Sequence, residues 1–475
     1  MGKTGWGCAA AGAPRLLDRV GNRKTEMELM SEDGARKRPG VLVSMSGLAL
    51  WGIFGCAVVV MAVAGAGWDH AGRAGEEPQA GGSSRDWLLW GGPHRDFIAP
   101  STGLASTWPA SGPRKLWSRA LGDGYSSIAV EGTTLYTTYR RGSDDVITAL
   151  DSRTRTSIWE YTYAAKFQSS YAEAVGPGPY AMPQVVGDRI VTASGTGIIH
   201  SLDKKTGRPI WSHDLYKEFG GTFLEFGYSC HALPYKDTLI LLAGGHGSGA
   251  LAFRQSDGAV VWKGLDFQNA HSSPLLIEVD GQPQVVALLA FEVVGFSPDT
   301  GQLLWRHPHN TQNGLAISTP VWAPGNLLFI SSAYEGGSRV LELHQSGGKT
   351  TIKELWYNQR LKSHFGTVIR LGDYVYFSSG HDGPALMTCV KLRTGEIAWQ
   401  ERGFAKAQLL AADRKLILLD EDGTLALVEP TPAEFRVQTR TAMLEHISWT
   451  APTLSGTTLY LRDRHSVMAL DLSGK

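Results

Sequence analysis

The stretch SLDKKTGRPIW (201–211) reads as two β-strands joined by a tight turn. Thr206-Gly207 supplies a glycine where a hairpin needs positive φ, and Trp211 follows on the returning strand. The same unit recurs as ALDSRTRTSIW (149–159), AFRQSDGAVVW (252–262), GFSPDTGQLLW (295–305) and VKLRTGEIAW (390–399). A copy with an insertion, LHQSGGKTTIKELW, covers 343–356, and ALVEPTPAEFRV (426–437) is a copy without the tryptophan.

Trp117, Trp159, Trp211, Trp262, Trp305, Trp356 and Trp399 therefore stand at intervals of 42 to 52 residues. A period of that size, built from short strands and glycine turns, is the sequence signature of a β-propeller with one four-stranded blade per repeat. Short apolar runs such as DTLILLAG (237–244) and KLILLD (415–420) supply the remaining strands. The chain ends in MALDLSGK (468–475), the first half of the unit, and Arg114-Lys-Leu-Trp117 is its missing last strand. Joined, they complete an eighth blade and leave no long unpaired edge. The expected fold is all-β: an eight-bladed β-propeller of four-stranded antiparallel blades, with repeats over 114–475 inside a domain spanning 87–475. The seven tryptophans are expected to be structural, docking one blade on the next.

Residues 39–68 carry no charged side chain over thirty positions, long enough to cross a bilayer as one transmembrane or signal helix. Residues 1–38 hold eight Lys/Arg against five acids, which predicts a cytoplasmic basic tail and an exported propeller. The resulting expectation is a bacterial inner-membrane, single-pass protein with a periplasmic propeller; cleavage at Ala64-Gly65-Ala66, or lipid attachment at Cys56, are the alternatives. Residues 69–86, rich in Gly, Ala and Ser, read as a flexible linker.

Four cysteines without C-x-x-C spacing give no support to thiolate zinc or attached haem. A net charge of zero, with no basic stripe outside the N-terminal tail, argues against a nucleic-acid partner.

The recurring A-x-D-x-x-T-G-x-x-x-W unit resembles the tryptophan-docking repeat of the PQQ-like β-propeller family, which includes quinoprotein alcohol dehydrogenases and BamB-like exported propellers. WLLWGGPHRD (87–96), WPASGPRKLW (108–117), DLYKEFGG (214–221) and KSHFGT (362–367) are similar to an exported subfamily of that group. For the dehydrogenases the resemblance implies PQQ over the ring axis, chelating Ca²⁺ or a lanthanide, with an aspartate base. Their vicinal cysteine pair and haem module have no counterpart here, so no cofactor is expected; PQQ with Ca belongs to the alternative reading only.

Propellers bind at the mouth of the axial channel. The innermost strands are expected to begin at triplets such as Cys230-His231-Ala232, Ser272-Ser273-Pro274, His364-Phe365-Gly366 and Lys406-Ala407-Gln408. His231, His271, His364, Lys406 and Trp449 stand out there as candidate ligand contacts. The three histidines are metal ligands by residue type, but they lie on different blades without H-x-x-x-H spacing, so a wet polar channel without metal is expected. His246 and His381 fall in glycine-rich turns and read as exposed turn residues. No catalytic residue is assigned. The function expected is a non-catalytic binding or scaffolding module with envelope proteins or peptides as partners, in the manner of a BamB-like assembly factor. The alternative is a PQQ-dependent quinoprotein oxidoreductase acting on an alcohol or sugar. A third reading is a sugar-binding surface protein, with Tyr125, Tyr171 and Tyr180 as exposed stacking platforms.

Overall fold

The computed structural model describes residues 85–167, 169, 175–381 and 384–474. Residues 1–38, the apolar stretch 39–68, most of the linker and Tyr171 lie outside the described residues.

Eight antiparallel sheets make the ring. Blades 1 to 7 run in chain order, over 129–164, 184–214, 233–264, 275–308, 321–358, 369–401 and 407–442. Blade 8 combines Thr453–Ser455, Thr458–Arg462 and Ser466–Asp471 with Arg114–Ala120 as its outermost strand, so the ring closes by pairing its two ends. Middle strands such as TLILL (Thr238–Leu242) are buried throughout, whereas outer strands such as SIWEYTYA (Ser157–Ala164) alternate exposed and half-buried. One strand was not foreseen: Ile98–Ala99 pairs in parallel with Ala411–Ala412 and makes blade 7 five-stranded.

The repeat motif has a physical reason at each position. The aspartate caps its own turn: Asp203 Oδ1 accepts from the Lys205 and Thr206 amides at 3.2 and 2.8 Å and from Thr206 Oγ1 at 2.7 Å. These bonds, the Thr206 hydroxyl foremost, hold its carboxyl below the usual range. Just before the tryptophan the register of the two outer strands slips by one residue, and this happens in all eight blades. Such a bulge re-aims the next side chain and sends the extra residue outward. Leu116, Ile158, Ile210 and Val261 are those extra residues, each at least 40 % exposed.

The re-aimed indole covers the turn of the following blade. Trp159, Trp211, Trp262 and Trp356 donate Nε1–H to the carbonyls of Lys204, Gln255, Pro298 and Leu392 at 2.8–3.0 Å. Three residues after each acceptor stands a glycine in the left-handed region, and a Cβ there would lie 2.4–2.7 Å from the indole. Gly258→Ala, at φ +75 and 2.7 Å from the Trp211 ring, is therefore expected to destabilise the ring by about 1–3 kcal/mol; an unchanged urea midpoint would refute that packing. Trp305 departs from the pattern and donates to Gln284 Oε1 of its own blade at 2.7 Å. In blade 7 the register puts Thr439, not Val437, in the tryptophan's place, and its hydroxyl donates to the Trp108 carbonyl at 3.4 Å.

Around the axis, side chains of one blade bond the backbone of the next. Ser272 donates to Ser318 O, Ser318 to Gly366 O, Thr367 to Leu409 O and Thr450 to Tyr125 O, at 2.6–3.0 Å. Small hydroxyl residues recur there because each carries a donor short enough to reach the neighbouring strand. At the closing seam Arg462 of blade 8 is fully buried and donates through Nη1 to Ser126 O, Thr137 Oγ1 and Thr138 O of blade 1. Burial pushes its guanidinium down to about 10.

Candidate functional site at the axial channel

The axial triplets precede the innermost strands instead of opening them: Leu233, Leu275 and Ile369 begin strands that follow Cys230, Ser272 and His364, and only Ala407 starts its strand within a triplet. Their side chains thus stand above the sheets, at the mouth.

The N-terminal segment closes the other end. Trp87 bridges Val130 in blade 1, Val185 of blade 2 donates to Leu88 O, and Ala411 of blade 7 donates to Phe97 O, at 2.8–2.9 Å. Between these points Trp90 stacks on His231 with centroids 4.3 Å apart and donates Nε1–H to Thr319 Oγ1 at 3.2 Å. Gly91 and Gly92, both at φ +82, make the turn; a Cβ on Gly92 would lie 2.8 Å from the Trp87 ring. Residues 87–99 are therefore a plug, a role the sequence reading left unassigned. Above it lies a cavity of about 410 Å³ reached from the mouth, within the range of small-ligand sites.

Aromatic rings form a crescent at the mouth. Tyr180 stacks on Tyr125 at 5.7 Å, Tyr125 on Trp449 at 5.1 Å, and Trp449 meets Phe365 at 5.6 Å. Lys406 Nζ lies 5.9 Å over Phe365, and Glu421 holds both Lys406, at 3.3 Å, and the Trp449 indole N–H, at 3.0 Å. Tyr125 is 4 % exposed and its faces are taken by its neighbours. Tyr125 and Tyr180 are thus part of a pre-stacked wall, which corrects their reading as exposed platforms.

The candidate residues divide. His231, His271, His364 and Trp449 line the cavity and Lys406 does not. His231 is a strut: Nε2 accepts from the Met182 amide at 2.8 Å and Nδ1 contacts Ser273 Oγ at 2.8 Å. The accepting Nε2 fixes the proton on Nδ1, so Ser273 Oγ accepts there and has its own proton left to donate. His271 Nδ1 meets Ser229 Oγ at 3.2 Å, and His364 Nε2 meets Tyr334 OH at 2.7 Å. Burial pushes His231 and His364 down to about 3 and His271 to about 4, so all three are neutral at pH 7. His381 is half-buried beside Tyr334, at 4.1 Å, and His364, at 5.5 Å, a correction to its reading as an exposed turn. His246 is 96 % exposed and pairs with Asp266 at 2.7 Å. Phe365, Tyr334 and Ser273 were not singled out from sequence; Phe365 and Ser273 are marked only by their place ahead of an innermost strand, and Tyr334 stands in the turn between the second and third strands of blade 5.

This donor set does not fit a Ca²⁺-chelated quinone. Calcium takes six to eight oxygens, usually with several carboxylates, and the cavity lining contains one acid, Asp96, beside Arg95 and Arg370. Among the described residues no group of three or more His, Cys, Asp or Glu stands close enough to share a metal. The site offers shape, aromatic surface and neutral hydrogen-bonding groups.

Fold and site together define an eight-bladed, tryptophan-docked propeller with a plugged axial channel. Residues 143–401, more than half of the chain, match the family model described as outer membrane protein assembly factor BamB, and the chain belongs to that family. It is 23 % identical to outer membrane protein assembly factor BamB of Burkholderia pseudomallei, over 69 % of this chain and 91 % of the relative. The crystal structure of BamB from Moraxella catarrhalis superposes with a TM-score of 0.55 at 18 % identity, covering 76 % of this chain and all of that one. Quinohemoprotein alcohol dehydrogenase from Comamonas testosteroni superposes with a TM-score of 0.58 at 12 % identity, covering 82 % and 81 %. At these identities the structural likenesses show the fold alone.

Proposed function

We propose that the protein is a non-catalytic binding and scaffolding propeller of the bacterial envelope, an assembly factor of the BamB kind, whose partners are envelope proteins or peptides received at the open mouth. One observation carries the reading: the cavity is closed below by the plug and walled by pre-stacked rings and neutral histidines, which suits an apolar peptide side chain and provides no matched acid–base pair. In this reading residues 39–68 anchor the chain in the inner membrane, 1–38 stay in the cytoplasm and the propeller stands in the periplasm. Among the described residues no helix is long and apolar enough to cross a membrane.

The deciding experiment is calorimetric titration of the full chain in detergent with PQQ and Ca²⁺, paired with crosslinking in envelope preparations. No saturable heat is expected, and crosslinked outer-membrane assembly proteins should fall at least several-fold with Trp449→Ala. Saturable binding accompanied by dye reduction on alcohols or sugars would replace this reading by that of a quinoprotein oxidoreductase.

A further inference from the structure

The chain is neutral overall, yet the plugged face is polarised. Blades 1 to 7 set the turn between their third and fourth strands on that face, beside the turn between their first and second; Ser152 donates to Thr133 O and Lys204 to Asp188 O across these pairs of turns. In blades 3, 4, 6 and 7 the outer turns carry acids, Asp257, Asp299, Glu396 and Glu434, and Arg393 of the blade 6 turn is paired with Glu342 at 2.6 Å. In blades 1 and 2 the outer turns carry Arg153, Arg155, Lys205 and Arg208, and the outermost strand of blade 8, Arg114–Ala120, carries Lys115 and Arg119. None of these six forms an ion pair among the described residues, and all but the half-buried Arg119 are exposed. Acids of the same sector are engaged: Asp151 and Asp203 cap their turns, Asp471 pairs with Arg114, Glu131 with Lys204, and the exposed Asp188 with Arg189 at 3.3 Å. The sector is continuous, since Arg119 donates to Arg155 O at 2.7 Å and Trp159 to Lys204 O at 3.0 Å.

Aliphatic side chains lie among these cations. The bulge residues Leu116, Ile158 and Ile210 of the same three blades are 40 %, 52 % and 40 % exposed. Blade 3 carries Val261 there, 48 % exposed, blades 4 and 5 the half-buried Leu304 and Leu355, and blades 6 and 7 Ala398 and Gln438, so it is the combination with unpaired cations that sets blades 8, 1 and 2 apart. The chain also enters the fold in this sector: Gly132 of blade 1 donates to Asp86 at 2.9 Å, and Gly456 of blade 8 lies beside Arg85. The first 84 residues of the sequence, which include the uncharged stretch 39–68, precede this point.

We infer that the basic, aliphatic-studded sector of blades 8, 1 and 2 is a docking surface for anionic phospholipid headgroups. Exposed aliphatics set among Lys and Arg are the composition of an interfacial membrane contact, and each cation near an anionic leaflet adds to the attraction. The described chain begins on this face, at Arg85, and the sequence before it holds the uncharged stretch 39–68, which favours lipid over an acidic protein as the occupant. The inference is independent of what binds at the mouth on the opposite face.

The test is hydrogen exchange of the full chain with vesicles of phosphatidylcholine alone or of phosphatidylcholine with phosphatidylglycerol. Amides of Arg114–Ala120, Ser157–Ala164 and Pro209–Asp214 are expected to exchange at least about threefold slower with the anionic vesicles, with the difference shrinking at high salt. The exposed-turn variant Arg153→Glu/Arg155→Glu/Lys205→Glu/Arg208→Glu should lose that protection while keeping the parent's circular dichroism and melting. Equal exchange in both vesicle types, or protection that survives the quadruple change, would overturn the inference. Protection by polyglutamate but not by vesicles would overturn it in favour of an acidic protein partner.

Discussion

Replacing Trp211 by alanine is expected to destabilise the ring by about 3–5 kcal/mol, read as a lowered urea midpoint. The indole is 8 % exposed, packs against Phe253 with centroids 6.1 Å apart, covers Gly258 and donates to the Gln255 carbonyl at 3.0 Å. Its removal opens a cavity between blades 2 and 3 and leaves that carbonyl without its donor. Gly258→Ala attacks the same contact from the other side, so the two losses should not add: once the indole is gone, the new methyl has space, and only the cost of positive φ is left. A Trp211→Ala loss below about 1 kcal/mol, or strict additivity with Gly258→Ala, would mean that this tryptophan fills surface and does not dock blades. Trp305→Ala is a contrasting case because its N–H partner, Gln284, belongs to the same blade. It should cost a similar amount through its cavity while leaving the seam to blade 5 without a lost hydrogen bond.

The fold was legible because the repeat writes one physical contact again and again, at Trp159, Trp211, Trp262 and Trp356 alike. Asp203 caps, Gly207 clears space, Trp159 fills it, and each role demands one residue type at one spacing. The bulge before each tryptophan was not legible, since Leu116, Ile158 and Ile210 look like ordinary strand residues until the register is known. Nor was the exception at Trp305: the insertion at Ser346–Lys349 lengthens blade 5's hairpin, a Cβ on Gly347 or Gly348 would meet nothing within 4 Å, and the indole finds Gln284 instead. The site was half legible. Position ahead of an innermost strand pointed to His231, His271, His364, Lys406 and Trp449, all of which stand at or near the mouth. It did not reveal which histidine nitrogens are already used, because Met182, Ser229 and Tyr334 reach them from other blades or loops. The plug was invisible for the same reason: WLLWGGPHRD obtains its meaning from contacts with Val130, Val185 and Thr319, at sequence separations no local pattern encodes.

Acidification is expected to unfold the ring well above the pH at which its surface carboxylates titrate. His200, His231, His271 and His309 are each at most 7 % exposed, and burial pushes their folded-state values to about 4, 3, 4 and 3. An unfolded histidine titrates near 6.5. Between about pH 6.5 and 4 the unfolded chain therefore binds protons that the native ring refuses, and stability falls as pH falls. Each fully refused proton contributes about 1.4 kcal/mol per pH unit, so the four together give a slope on the order of 5 kcal/mol per unit near pH 5. Two buried acids act in the opposite sense. Burial raises Asp145 and Asp420, so the native state takes up their protons before the unfolded chain does and regains some stability as pH falls. Arg140, 2.7 Å from Asp145 and itself buried, limits that gain. The net result should be a urea midpoint that is nearly flat from pH 8 to 7 and drops steeply between about pH 6 and 4.5. His200 is the informative single change, since neither of its ring nitrogens has a hydrogen-bond partner among the described residues. His200→Gln should reduce the acid slope by about a quarter without touching the channel. A midpoint at pH 5 equal to that at pH 7 would show that these histidines become protonated in the folded ring, and that water enters the seams between blades.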